Sequence, residues 1–149
     1  MVPQQSNTYA ITISTFLQHR HFQKEANAEL FLKTLLRYRQ QEKFQLHGFA
    51  VMPDHIHLLI TPAMDQSLPK CIQLIKGGYS FAARDLSPKE IWHTGYHEHR
   101  IRDQEDYDNQ IRYIANNPPA ANLGSDYPYV HTHLEHASSV DACPEYLLS

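Results

Sequence analysis

Strand-like and helix-like side-chain periods take turns along this chain, and a sequence patterned in that way has few folds open to it. Tyr9 to Phe16 alternates apolar residues with Thr and Ser, as a half-buried strand does. Asn27 is a candidate cap for a helix running to about Glu42, with Ala28, Phe31, Leu35 and Tyr38 as its apolar stripe. Phe44 to Met52 reads as a second strand and Ile56 to Ile60 as part of a third, with Pro53-Asp54 as the turn between them. Ser67 is placed to cap a helix whose Leu68, Ile72, Ile75, Tyr79 and Ala82 repeat at helical spacing. Gly77-Gly78 weakens that helix by roughly 1 kcal/mol per glycine, which suggests a close backbone approach there. Ile91 to Ile101 is expected as a fourth strand, and Asp103 opens a last helix that should stop near Asn117, ahead of Pro118-Pro119. The order β-α-β-β-α-β-α predicts an α+β, ferredoxin-like sandwich. Its four-stranded antiparallel sheet should carry two helices on one face, with an additional C-terminal helix.

At 149 residues the chain is the size of one domain, and residues from about 125 to 149 lack periodicity and read as a C-terminal tail. Apolar residues make up 42% of the chain, and no run approaches the ~20 residues that a membrane helix needs. The first residues have no basic segment followed by an apolar one, so no signal peptide is expected. Cys71 and Cys143 fit neither a disulfide framework nor a zinc spacing. A cytoplasmic location follows as the expectation. Charge is uneven: residues 1–97 hold 10 Lys/Arg against 7 Asp/Glu, and residues 98–149 hold 3 against 9. Nucleic-acid binders usually carry a basic patch, so net charge by itself argues mildly against such a partner.

Histidine is abundant, with 11 residues, and four His-x-His pairs occur: His19/His21, His55/His57, His97/His99 and His131/His133. Only His55/His57 lies within a strongly apolar strand, Val51-Met-Pro-Asp-His-Ile-His-Leu-Leu-Ile-Thr-Pro62. Alternation sends these two imidazoles to one face and Ile56 to the other. Two imidazoles so placed can hold one divalent metal and leave coordination positions open. The plainer reading is a histidine pair on a solvated face, and that reading is kept for the other three pairs.

In the last helix, Tyr107, Ile111 and Ile114 share a core-facing stripe at ~100° per residue. Asp106, Gln110, Tyr113 and Asn117 form a different stripe. Tyr113 is therefore misplaced as a core filler, and its phenol lies one turn from the Asn117 amide. Phenols are weak nucleophiles at neutral pH, and a metal polarising a phosphate would supply what the phenol lacks. An exposed tyrosine and a helix-terminal asparagine are the simpler readings of these two residues taken one at a time.

Three blocks resemble the IS200-like Y1 transposases, and among them the REP-associated tyrosine transposases. Val51-Met-Pro-Asp-His-Ile-His-Leu-Leu is similar to the HUH metal motif. The run from Ile91 to Tyr107 resembles the strand that leads into the catalytic helix, and Tyr113-Ile-Ala-Asn-Asn-Pro118 the nucleophile block. The resemblance covers about residues 8 to 130. It implies His55, His57 and Asn117 as ligands of Mg²⁺ or Mn²⁺, and Tyr113 as the nucleophile on a DNA phosphodiester. It further implies a 5′-phosphotyrosine intermediate and a partner of single-stranded DNA beside a hairpin, bound by a monomer or homodimer associated with the nucleoid. Lys76, Tyr79, Arg100 and Arg102 are candidates for DNA contact through phosphates and stacked bases. Ala115 and Pro119-Ala120 depart from the branch's usual residues. Two other readings share these residues: a catalytically silent hairpin-binding protein, and a metal-dependent hydrolase in which Tyr113 is only a surface residue.

Overall fold

The computed structural model describes residues 7–86, 89–121, 123, 127–132 and 139–148. The strands are β1 (Tyr9–Ser14), β2 (Phe44–Val51), β3 (His55–Pro62), β4 (His97–Arg100) and β5 (Val130–Thr132). The helices are α1 (Glu25–Gln40), α2 (Leu68–Ala82) and α3 (Gln104–Ala120). One antiparallel sheet runs in the order β4-β1-β3-β2-β5. The fold is α+β as expected, but the sheet has five strands among the described residues rather than four. The extra strand, β5, is three residues long and pairs with Gly48, Phe49 and Ala50 of β2. A strand that short shows too little alternation to be read from sequence.

Strand alternation divides the sheet between two cores. Ile11, Ile13, Phe49, Val51, Ile56, Leu58 and Ile60 pack under α1 and α2 with Phe31, Leu35, Ile72, Ile75 and Tyr79. On the other face Ala50, Met52 and Leu59 pack against Tyr107, Ile111 and Ile114 of α3. His55 and His57 alternate with Ile56 and so belong to the α3 side. The sheet thus separates α1 and α2 from the candidate site.

Several boundaries differ from expectation. Helix α1 begins after Lys24, and Asn27 does not cap it; the Asn27 side chain donates to the His21 carbonyl at 2.8 Å instead. Ser67 caps α2 as expected, accepting from the Lys70 amide at 3.2 Å. The expected fourth strand is reduced to β4, and Trp92 contributes only an isolated bridge to Thr15. Helix α3 continues through Pro118-Pro119 to Ala120. Proline removes donors but not acceptors, so the helix continues past it, and at its end the carbonyls of Asn117 and Pro118 take the Ala121 and Leu123 amides.

The last described segment is packed rather than loose. Arg39 and Asp141 form a two-pronged pair at 2.9 and 3.1 Å, and the Leu46 amide donates to the same carboxylate at 2.8 Å. His47, fully buried, bonds the Ala142 carbonyl at 2.9 Å, and the Tyr146 hydroxyl donates to Thr8 at 2.7 Å. Gly124 and the residues from 133 to 138 lie outside the described residues, His133 among them.

Candidate functional site

The two histidines of β3 are held by different neighbours. Asp54 accepts a hydrogen bond from His55 Nδ1 at 2.7 Å. An ionised carboxylate only accepts, so Nδ1 carries a proton there, and Nε2 is the nitrogen left for a ligand. The Asp54 backbone is pinned in turn, because its carbonyl accepts from both the amide and the hydroxyl of Thr15. His57 is buried, its Nδ1 lies 3.1 Å from Thr12 Oγ1, and its Nε2 has no partner among the described residues. Burial, and then the neighbouring His55, pushes the His57 imidazole down from 6.5 to about 4, so the ring is neutral at physiological pH. The two rings are perpendicular with centroids 4.7 Å apart.

A buried nitrogen left without a partner costs free energy unless something outside the chain takes it up. Two imidazoles on one face, one of them buttressed by a carboxylate, form a donor set that suits a divalent metal. The residues present therefore fit the ion that the sequence implied. Among the described residues no cluster of three or more His, Cys, Asp or Glu side chains forms. The remaining ligands would have to be an amide, water or substrate.

Tyr113 packs its ring edge-on to His57, with centroids 5.2 Å apart, while 56% of the residue stays exposed. Core packing of Tyr107, Ile111 and Ile114 sets the rotation of α3, and that rotation delivers Tyr113 to the histidine. Asn117 follows one turn later on the same stripe and is half-buried. The N-terminal end of α3 is fixed by Asp106, which accepts from His99 Nε2 at 2.8 and 2.9 Å and from the Arg102 amide at 3.0 Å.

Sequence reasoning kept His97/His99 as an unremarkable pair, yet β4 brings both to this site. A cavity of about 140 Å³ is lined by Thr12, His57, His97, His99, Gln110 and Tyr113 among others. Arg112 was also missed; it is exposed next to Tyr113, on a shallow groove with Asn109, Ala115 and Asn116. Its position directly before the tyrosine was the available signal.

The suggested DNA contacts are redistributed. Tyr79 is fully buried in the α1/α2 core and bonded to His21 at 2.6 Å, so it cannot stack on a base. Its place on the apolar stripe of α2 already pointed inward. Lys76 donates to the His93 and Gly95 carbonyls at 3.0 and 3.2 Å, and Trp92 Nε1 donates to the Lys76 carbonyl at 3.0 Å. The lysine thus tethers the loop before β4. Arg100 pairs in register with Tyr9, on the α1/α2 side of the sheet. Arg102 is exposed beside the start of α3, with Nε 3.6 Å from Asp106.

A sheet with a histidine pair facing a tyrosine helix defines a class, and comparison with known proteins identifies it. Residues 4–117 match the family described as IS200-like transposase, and the chain belongs to that family. It is 26% identical over 91 residues to the REP-associated tyrosine transposase of Escherichia coli (strain K12), covering 60% of this chain and 53% of that protein. A Haemophilus influenzae protein (strain Rd) assigned to the same group is 31% identical over 109 residues, with 60% of each chain covered. The chain therefore spans between half and two thirds of the length of these curated relatives. Among solved structures, a REP-associated tyrosine transposase bound to a REP hairpin superposes with a TM-score of 0.77 at 20% identity, covering 95% of this chain and 86% of that one. At that identity the likeness establishes the fold.

Proposed function

We propose that this chain is a metal-dependent nuclease and strand transferase that cuts and rejoins single-stranded DNA beside a hairpin through Tyr113. One observation carries the reading: a tyrosine more than half exposed is nonetheless packed against the ring of His57, whose Nε2 has no partner among the described residues. His55 and His57 would hold the ion, with the Asn117 amide one turn from the nucleophile. When bound, a divalent ion supplies positive charge that polarises the phosphate oxygens. The residues of the chain do the rest. Asp54 and Thr12 fix the two rings, and α3 presents the phenol beside them. The Tyr113 oxygen forms a bond to phosphorus as the P–O3′ bond breaks, and the phenol proton passes by way of water to the leaving oxygen, giving a 5′-phosphotyrosine and a free 3′-OH. Attack by a 3′-OH reverses the exchange and restores the phenol, so the bond energy is conserved and no nucleotide cofactor is required. The hairpin bound by the solved relative supports the choice of DNA, and exposed Arg112, next to Tyr113, and exposed Arg102, at the start of α3, are cations available to a phosphate chain there.

The test is covalent trapping. Incubating the protein with Mn²⁺ and a hairpin-flanked single-stranded oligonucleotide should give an adduct that peptide mass spectrometry places on Tyr113. Tyr113→Phe should abolish the adduct and still bind the DNA. An adduct on another tyrosine would reassign the nucleophile. Binding without any adduct would favour a silent hairpin binder.

A further inference from the structure

The cavity beside Tyr113 holds an imidazole that the fold does not use. His97 pairs in register with Thr12, and Thr12 pairs on its other side with His57. Residues directly opposite one another share a sheet face, so His97, Thr12 and His57 form a row across three strands on the α3 side. Adjacent strands lie ~4.8 Å apart, which separates the two histidine backbones by roughly 10 Å across the mouth of the cavity. Tyr113 lies over this row and Gln110 lines the same cavity. The second histidine of β4, His99, is committed to Asp106. His97 is exposed and makes no hydrogen bond among the described residues. Nothing in the packing explains a histidine there, whereas an anion lodged between Tyr113 and β4 would.

We infer that His97 donates a hydrogen bond to a non-bridging oxygen of the scissile phosphodiester, on the side away from His55 and His57. The inference rests on the proposed transesterification at Tyr113. The ring has an N–H to offer whether neutral or charged, so the contact does not depend on its protonation. It holds the phosphate under the phenol from one side, opposite the ion site of the β3 pair. Donors aimed at charge that grows in the transition state act on the rate of reaction more than on the affinity for substrate.

Single-turnover cleavage of a hairpin-flanked oligonucleotide, saturated with protein in Mn²⁺, separates the outcomes. His97→Ala should slow adduct formation on the order of 10²-fold, with DNA affinity nearly unchanged. His97→Gln, which keeps a donor, should recover most of the rate. A phosphorothioate at the scissile position supplies the geometric readout. In one diastereomer sulfur replaces the oxygen that His97 contacts, so His97→Ala should add little to the sulfur effect. In the other diastereomer the two effects should multiply. Full activity in His97→Ala with a Tyr113 adduct in the wild type would overturn the His97 contact alone. Effects that multiply in both diastereomers would show that His97 supports the fold and does not touch the phosphate. No adduct in the wild type would overturn the inference together with the reading beneath it.

Discussion

His57 is buried and neutral, and that condition ties stability to pH. Its folded value of about 4 lies below the ordinary 6.5, so between those values the unfolded chain binds more protons than the native one. Its contribution is fully present above about pH 6.5 and is lost as pH falls, by up to ~1.4 kcal/mol per pH unit, levelling off below about pH 4. Urea titrations of metal-free wild type and His57→Gln at pH 7, 6 and 5 should therefore show their stability difference moving against the wild type as pH drops. A difference that does not change with pH would mean that His57 titrates normally. Local period made His55, His57 and Tyr113 legible in sequence, since two-residue and four-residue spacings decide which side chains share a face. Asp54 read only as a turn residue, because its hydrogen bond to His55 depends on the exact shape of that turn. His97 was illegible for a different reason: its neighbour Thr12 lies across the β1–β4 pairing, which no local pattern encodes.

Helix α2 shows how neighbouring identical residues can serve opposite needs. A Cβ on Gly78 would strike the Tyr38 ring of α1, with Cε2 only 2.7 Å away, whereas one on Gly77 meets nothing within 4 Å. Gly78 is the close approach that the glycine pair suggested, and Gly77 is not. Gly77→Ala should stabilise the protein by roughly 0.5–1 kcal/mol through helix propensity. Gly78→Ala should destabilise it by roughly 1–3 kcal/mol, because α1 and α2 must separate or Tyr38 must turn. Thermal unfolding of the two variants checks the sign of each, and equal shifts would contradict the packing. The start of α2 was readable from Ser67, a cap with a local partner. The end of α3 lies beyond the expected stop because Pro118-Pro119 withholds donors but still offers acceptors, and the Ala121 and Leu123 amides close the last turn on Asn117 and Pro118.

Across the whole molecule, the sheet keeps scaffold and candidate site on opposite faces, and the acidic C-terminal third serves partly as a fastener. Asp141 joins α1 to β2 by accepting from Arg39 and from the Leu46 amide. Asp141→Ala leaves a guanidinium and a backbone donor without their acceptor, and should cost roughly 1–3 kcal/mol in urea unfolding. A loss below about 0.5 kcal/mol, the scale of an ordinary surface change, would mean that the segment is held elsewhere. This role was hidden from sequence because the ion pair spans 102 positions, and from charge counting because a negative balance says nothing about where each carboxylate ends up. The sheet's two ends carry one more consequence. β4 and β5 are four and three residues long, and the side chains of β4 are His97, Glu98, His99 and Arg100, all exposed. An open edge invites a strand from another copy, and short, charged edges discourage it. A second chain aligning along β4 would gain only a few backbone hydrogen bonds while crowding ionisable groups together. Even at high local concentration, copies of this protein thus have little incentive to extend one another's sheets into aggregates.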